Sequence, residues 1–179
     1  ESMSSIGFSQ DFCAPYTRAG YWNDPDMLVV GWLGWGPNLH PTRLTPSEQY
    51  THISLWCLLS APLLIGCDLT KLDDFTLNLL TNDEVLAVNQ DPAANPAKRI
   101  VKNDNGQIWE KLLEDGSYAV GLFNTSDKDQ IMTLLFRDLN FYGKHKIRDL
   151  WRQKDIGTYT DQFECKVATH GVEMIRIFP

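Results

Sequence analysis

The chain has 179 residues, 43% hydrophobic and 22% charged, enough to bury one substantial core and too ordinary in composition for a disordered or fibrous polypeptide. Its net charge of -7 provides no cationic footprint for a nucleic-acid backbone or an anionic membrane, so neither is expected as a partner. No apolar run reaches the roughly 20 residues that span a bilayer, since the longest, Ala61 to Gly66, is short and contains Pro62.

The opening Glu1-Ser2-Met3 has neither a basic nor an apolar leader segment, so any signal peptide lies upstream or never existed. The compartment stays open, with a periplasmic or secreted one favoured. Cys13, Cys57, Cys67 and Cys165 form no CxxC pair and match no zinc-type histidine spacing. They read as free thiols, Cys57 and Cys67 in the core, and no metal or cofactor is expected.

In chain order, residues 1–97 and 98–179 read as two kinds of polypeptide. Tyr21 to Val30 is a strand-length apolar stretch. Thr45-Pro46-Ser47-Glu48 then announces a helix, with Thr45 as N-cap, Pro46 at the first helical position and Glu48 closing a capping box. That helix should run to about Leu58. Pro62 to Cys67 is nearly all apolar, as in a parallel strand covered on both faces. Thr81-Asn82-Asp83-Glu84 repeats the capping-box pattern before Val85, Leu86 and Val88. Strand, helix, strand and helical hairpin in this order imply βα units and a parallel sheet.

Asp91 to Lys98, with Pro92 and Pro96, reads as a linker. Beyond it come short runs at Gln107–Leu112, Tyr118–Phe123, Ile131–Phe136, Lys146–Trp151, Phe163–Val167 and Val172–Phe178, separated by turn residues such as Glu114-Asp115-Gly116. This spacing predicts an antiparallel β-sandwich over residues 98–179.

The segment Tyr21-Trp22-Asn23-Asp24-Pro25-Asp26-Met27-Leu28 is chemically the most unusual, because two carboxylates and an indole crowd an apolar strand. Strand period would place Trp22, Asp24 and Asp26 on one face, and buried carboxylates need partners. A polar functional site and a structural ion-pair network explain that equally well.

Resemblance separates the two. Gly20 to Gly31 is similar to the strand-7 signature of glycoside hydrolase family 27, the α-galactosidases. Ser60-Ala61-Pro62-Leu63-Leu64-Ile65-Gly66-Cys67-Asp68-Leu69 and Val88-Asn89-Gln90-Asp91-Pro92 resemble that family's strand 8 and last barrel helix. Asp149-Leu150-Trp151 and His170 to Arg176 resemble its C-terminal antiparallel domain more weakly. The resemblance implies the C-terminal portion of a TIM (β/α)8 barrel at residues 1–97, with strands 7 and 8 and their helices, then an antiparallel β-sandwich domain at 98–179. A full barrel takes about 250 residues, so the strands that precede are expected outside this chain as its missing N-terminal barrel segment.

The family hydrolyses terminal α-galactosides with retention, using an aspartate nucleophile and an aspartate acid/base on earlier strands. Neither has a counterpart here, so no catalytic residue is assigned. Asp24 and Asp26 are not that pair, because residues on one strand approach a sugar from one side, whereas acid and nucleophile flank the scissile bond. The resemblance implies that Asp26 and Met27 line the sugar pocket while Trp22 and Asp24 shape the strand end that holds them. The expected ligand is an α-galactoside or a related oligosaccharide. α-N-acetylgalactosaminidase and β-L-arabinopyranosidase are alternatives within the family, and a non-catalytic carbohydrate-binding or structural β-domain is an alternative outside it. Open strand edges in a partial barrel are expected to favour self-association.

Other features are weaker. Trp32 and Trp35 in the glycine-rich loop Gly31 to Pro41 offer faces for a sugar or for packing. His40 reads as solvated or structural, His52 as a satisfied helix residue and His170 as part of a turn. Asn124-Thr125-Ser126 matches the glycosylation sequon and is given no role. Trp109, Tyr118, Phe141, Tyr142 and Trp151 are candidate sugar platforms, with core packing favoured.

Overall fold

The computed structural model describes residues 2–179. After a short helix α1 (Met3–Gly7) and a 3₁₀ turn (Gln10–Tyr16) come a small hairpin, β1 (Trp32–Leu33) with β2 (His40–Pro41), and helices α2 (Pro46–Leu58), α3 (Asp74–Thr81) and α4 (Asp83–Asn89). The second half contains β3 (Lys98–Lys102), β4 (Gly106–Leu112), β5 (Tyr118–Asn124), β6 (Gln130–Leu135), β7 (Lys144–Asp149), β8 (Lys154–Thr160), β9 (Gln162–Val167) and β10 (Val172–Ile177). Six of these strands form an antiparallel sheet in the order β3-β4-β5-β10-β7-β8, and β6 pairs with β9 in a separate two-stranded sheet.

The second half is therefore the expected sandwich, with two strands the sequence did not announce. β3 and β8 are edge strands rich in Lys, Arg and Asp, and such sequences hide in a search for apolar alternation. Between the sheets lie Ile108, Val120, Leu122, Leu134, Phe136, Ile147, Phe163, Ile175 and Ile177. The opposite face of the large sheet is covered too: Trp109, Ala119, Phe123 and Met174 join Ile53, Leu55, Trp56, Leu58, Val85 and Val88 in a second core. Burial on both faces explains why β5 is continuously apolar instead of alternating.

The middle helix α2 is the hub. Thr45 accepts from the Glu48 amide while the Glu48 carboxylate accepts from the Thr45 amide at 2.7 Å, closing the predicted capping box. From Thr51 to Leu58 every residue is buried, because strand segments of the first half lie against one side and the β-sandwich against the other. Polar groups within it find partners: the Thr51 hydroxyl donates to the His170 carbonyl at 2.8 Å, and Ser54 accepts from the Trp151 indole at 2.8 Å. The capping of α4 departs from expectation, since Asn82 is the N-cap, accepting from Val85, while Thr81 ends α3.

Gly121 lets α2 approach the sheet. An added Cβ would sit 2.7 Å from Leu58 Cδ1 and 2.5 Å from Phe123 Cε2, inside any tolerable contact. We expect Gly121→Ala to lower stability by about 1–3 kcal/mol through forced repacking; an unchanged denaturant midpoint would show that the seam is loose.

Buried Lys111 ties the same seam. Its ammonium donates to the Ser60 hydroxyl at 2.8 Å and to the Val88 carbonyl at the end of α4, while burial pulls its pKa down to about 8. The bidentate pairing of Arg148 with Glu84, at 2.7 and 2.5 Å, does similar work between β7 and α4.

Candidate functional site

The two expected parallel strands touch without becoming regular ones. Tyr21–Val30 and Pro62–Cys67 share one parallel bridge, Leu28 with Ile65, held by Leu28 N–H to the Leu64 carbonyl (2.8 Å) and Gly66 N–H to the Leu28 carbonyl (3.2 Å). Regular pairing stops at this one bridge, because Pro25 and Pro62 lack donors and Asp26 leaves the extended region at φ +79. Leu28 and Val30 point into the core, whereas Met27 is half exposed and packs beside Gly66.

That positive φ corrects the expectation of one face shared by Trp22, Asp24 and Asp26. The Asp24 carboxylate accepts from the Asp26 amide at 2.9 Å, and the Asp26 carboxylate accepts from the Met27 amide at 2.7 Å, so Asp24, Asp26 and Met27 belong to one tight turn. Both carboxylates are exposed, and neither is in an ion pair among the described residues. Trp22 stands apart, lining a cavity of about 410 Å³ with Ser60 to Leu63 and Asn89 to Pro92 that the other three do not border.

Three residues that sequence reasoning did not assign to the site, Gln49, His52 and Trp56, turn one stripe of α2 toward this turn. Trp56 Nε1 donates to the Asp26 carbonyl at 2.9 Å, His52 Nε2 accepts from the Val29 amide at 3.0 Å, and Gln49 accepts from the Gly31 amide at 3.4 Å. Their spacing of three and then four residues was the available signal: hydrogen-bonding side chains on one face of a helix otherwise buried all round. His52 is not fully satisfied, since its buried Nδ1 has no partner among the described residues.

The chain continues from this turn into the β1–β2 hairpin. Gly34, at φ +91, has to be glycine, because a Cβ there would lie 2.4 Å from the Asn38 carbonyl oxygen. Asp68 N–H donates to the Trp32 carbonyl at 2.8 Å, and the Lys71 ammonium sits 5.0 Å from the Trp32 ring centre, so the loops that leave both parallel segments are tied together. Trp35 projects almost fully exposed, and His40 is exposed with Nδ1 on the neighbouring Pro41 carbonyl.

The remaining candidates resolve toward structure. Trp109 is fully buried, Trp151 packs edge-on against Tyr50, Phe141 stacks on His145 and meets Tyr118 edge-on, and Tyr142 alone of the five aromatics is largely exposed. The Asn124 amide donates to the Lys128, Val167 and Ala168 carbonyls, so in the folded chain it is no glycan acceptor. Cys57 is in the core as expected, with its thiol pushed up to about 12 by burial, but Cys67 is only partly buried. Among the described residues no group of His, Cys, Asp and Glu is arranged to hold a metal ion.

Residues 2–91 match the family model described as alpha galactosidase A, and residues 103–177 match the alpha galactosidase C-terminal beta sandwich domain. The chain belongs to the α-galactosidases of glycoside hydrolase family 27. A probable alpha-galactosidase from Dictyostelium discoideum is 38% identical over all of this chain and 46% of its own length. Alpha-galactosidase A from Homo sapiens is 32% identical over 71% of the chain and 28% of its own length. Among solved structures, alpha-galactosidase I from Mortierella vinacea superposes with a TM-score of 0.89 at 30% identity, covering 99% of this chain and 44% of that one. A family 27 β-L-arabinopyranosidase from Geobacillus stearothermophilus does so with a TM-score of 0.89 at 29% identity, covering 99% and 42%. The chain thus spans less than half the length of these family members, corresponding to the end of their barrel and the β-sandwich that follows.

Proposed function

We propose that this chain is the C-terminal portion of a retaining exo-glycosidase that removes terminal α-galactosides, supplying part of the sugar pocket and not the catalytic aspartate pair. The observation that carries this reading is the Asp24–Asp26 turn. It sets an exposed carboxylate and the half-exposed Met27 at the open side of the parallel pair, in a chain that spans less than half the length of its Dictyostelium and Mortierella relatives. On this reading, Asp26 binds or orients a sugar hydroxyl, Asp24 shapes the turn, Trp22 supports the start of the strand, and the uncovered Tyr21, Leu64 and Ile65 meet the rest of the barrel. Until they are covered, those apolar groups favour self-association.

β-L-arabinopyranosidase activity is the second reading, supported by the Geobacillus neighbour, another structure of which contains arabinose. The two sugars share ring stereochemistry and differ by one hydroxymethyl group, so the ratio of kcat/KM for the two p-nitrophenyl glycosides, measured on the complete enzyme, decides between them.

In the complete enzyme, Asp26→Asn is expected to lower kcat/KM for p-nitrophenyl α-galactoside by loss of a charge-assisted hydrogen bond worth about 1.5–3 kcal/mol. The melting temperature should hold, because Asp26 is exposed and an asparagine oxygen still accepts from Met27. Wild-type kinetics with a lowered melting temperature would remove Asp26 from the pocket.

A further inference from the structure

Asp26 occupies a left-handed conformation that costs a non-glycine residue free energy and persists only where its surroundings enforce it. The bonds from Asp24 to the Asp26 amide and from Asp26 to the Met27 amide are local, and they set the shape of the turn without setting its attitude in the molecule. One edge of the following segment is held at Leu28 by the parallel neighbour. Its other edge is held by a helix. Trp56 Nε1–H reaches the Asp26 carbonyl and His52 Nε2 takes the Val29 amide, while the Thr42 hydroxyl donates to the Val29 carbonyl at 2.6 Å. His52 and Trp56 also brace each other edge to face, with ring centres 4.2 Å apart.

We infer that Trp56 and His52 are positioning residues for the sugar pocket, their hydrogen bonds to the Asp26 carbonyl and the Val29 amide aiming the left-handed turn so that Asp26 and Met27 face the substrate. This rests on the glycosidase reading above. Neither side chain touches the sugar, since both are buried behind the turn.

The condition of His52 supports the assignment. Because Nε2 accepts a hydrogen bond, the neutral ring carries its proton on Nδ1, and that buried N–H has no partner among the described residues. Leaving a buried donor unsatisfied is unfavourable, and a leucine would avoid the penalty while losing the acceptor. The value of an imidazole at this position therefore lies in its grip on Val29. Trp56 follows the same logic: phenylalanine would fill most of the same space, and what it lacks is the N–H aimed at Asp26.

The experiment uses the complete enzyme that carries this chain, with α-galactosyl fluoride as substrate and free galactose as competitive inhibitor. Trp56→Phe and His52→Leu are expected to raise the galactose inhibition constant and lower kcat/KM about tenfold each, the effect of one lost hydrogen bond. His52→Gln, whose side-chain oxygen restores an acceptor, should stay within about twofold of wild type. His52→Leu should lose that affinity without a matching loss of melting temperature, because it also removes the orphaned donor. Inhibition constants unchanged in all three variants, with lowered melting temperatures, would show a merely structural role and overturn the proposal. His52→Gln as damaged as His52→Leu would overturn the part assigned to His52. A wild-type enzyme that does not cleave α-galactosyl fluoride would instead overturn the glycosidase reading, and this inference with it.

Discussion

The 179-residue chain by itself is expected to leave α-galactosyl fluoride and p-nitrophenyl α-galactoside intact, its turnover indistinguishable from buffer. Retaining hydrolysis needs one carboxylate to attack the anomeric carbon and another to protonate the leaving oxygen from the opposite side. Asp24 and Asp26 fail on geometry, because they are two residues apart in one turn and each spends an oxygen on a backbone amide of that turn. Asp149 and Glu173 form the other pair that invites the assignment, since burial and the charge of Asp149 push the Glu173 carboxyl up to about 7 and a raised carboxyl often marks a general acid. They lie on β7 and β10, where Asp149 is buried against the Arg152 guanidinium, and neither lines the cavity beside Trp22. Rates separated by a factor of about a million or more are at stake between enzyme and background, so the assay is decisive. Turnover above buffer that disappears in Asp24→Asn or Asp26→Asn would overturn the division of labour proposed here. Turnover that disappears in Glu173→Gln would move the chemistry to the β-sandwich.

Stability should depend on pH through His52 in a way that one substitution removes. Burial lowers its pKa from 6.5 to about 4, the backbone at Met27 offsetting part of the shift. Between those values the unfolded chain binds the proton and the folded chain does not, so stability rises with pH across that window. Above pH 6.5 there is no penalty; below about 4 it is complete, at about 3 kcal/mol for a shift of this size. Glu173 works in the opposite sense. Burial, and then the charge of Asp149, raise its pKa to about 7, so its contribution is present below its ordinary value of 4.5 and is lost as pH rises through 7.

The wild-type slope between pH 4.5 and 6.5 sets the His52 effect against that of Glu173 and of Glu110, whose carboxyl burial also raises. His52→Gln should abolish the His52 part, leaving a protein that gains stability on acidification from pH 7 to 4.5. Asp68, Asp73, Asp115, Asp129 and Asp155 are all lowered, chiefly by side-chain hydrogen bonds, and titrate below this window. Urea midpoints at three pH values for both proteins measure the slopes. Identical slopes would mean that His52 is reached by water and titrates normally.

The sequence by itself determined those features whose causes are local. Thr45 and Glu48 bond across three residues, so the start of α2 could be placed to the residue. The antiparallel strands lay between turn residues that specify their own backbone, as Asp115-Gly116 does, with Gly116 at φ +82 before β5. The family emerged from runs around Asp26, Ile65 and Gln90, since strand-end and turn chemistry is written in consecutive residues. Edge strands β3 and β8 escaped because their pairing is decided by a neighbour and not by their own pattern.

Only the tertiary structure decided the conformation of Asp26 and the company it keeps. A strand period assumes extended backbone, and at Asp26 that assumption failed: the residue is left-handed, with its amide bonded to the Asp24 carboxylate and its carbonyl to the Trp56 indole. The face that α2 turns to the site was hidden for a related reason. Gln49, His52 and Trp56 bond backbone groups 18 to 30 residues away in the chain, and backbone groups are chemically alike in every sequence. Nothing in residues 26 to 31 announces which helix will take their free carbonyl and amides; that is fixed by the packing of α2 between the first-half segments and the sandwich.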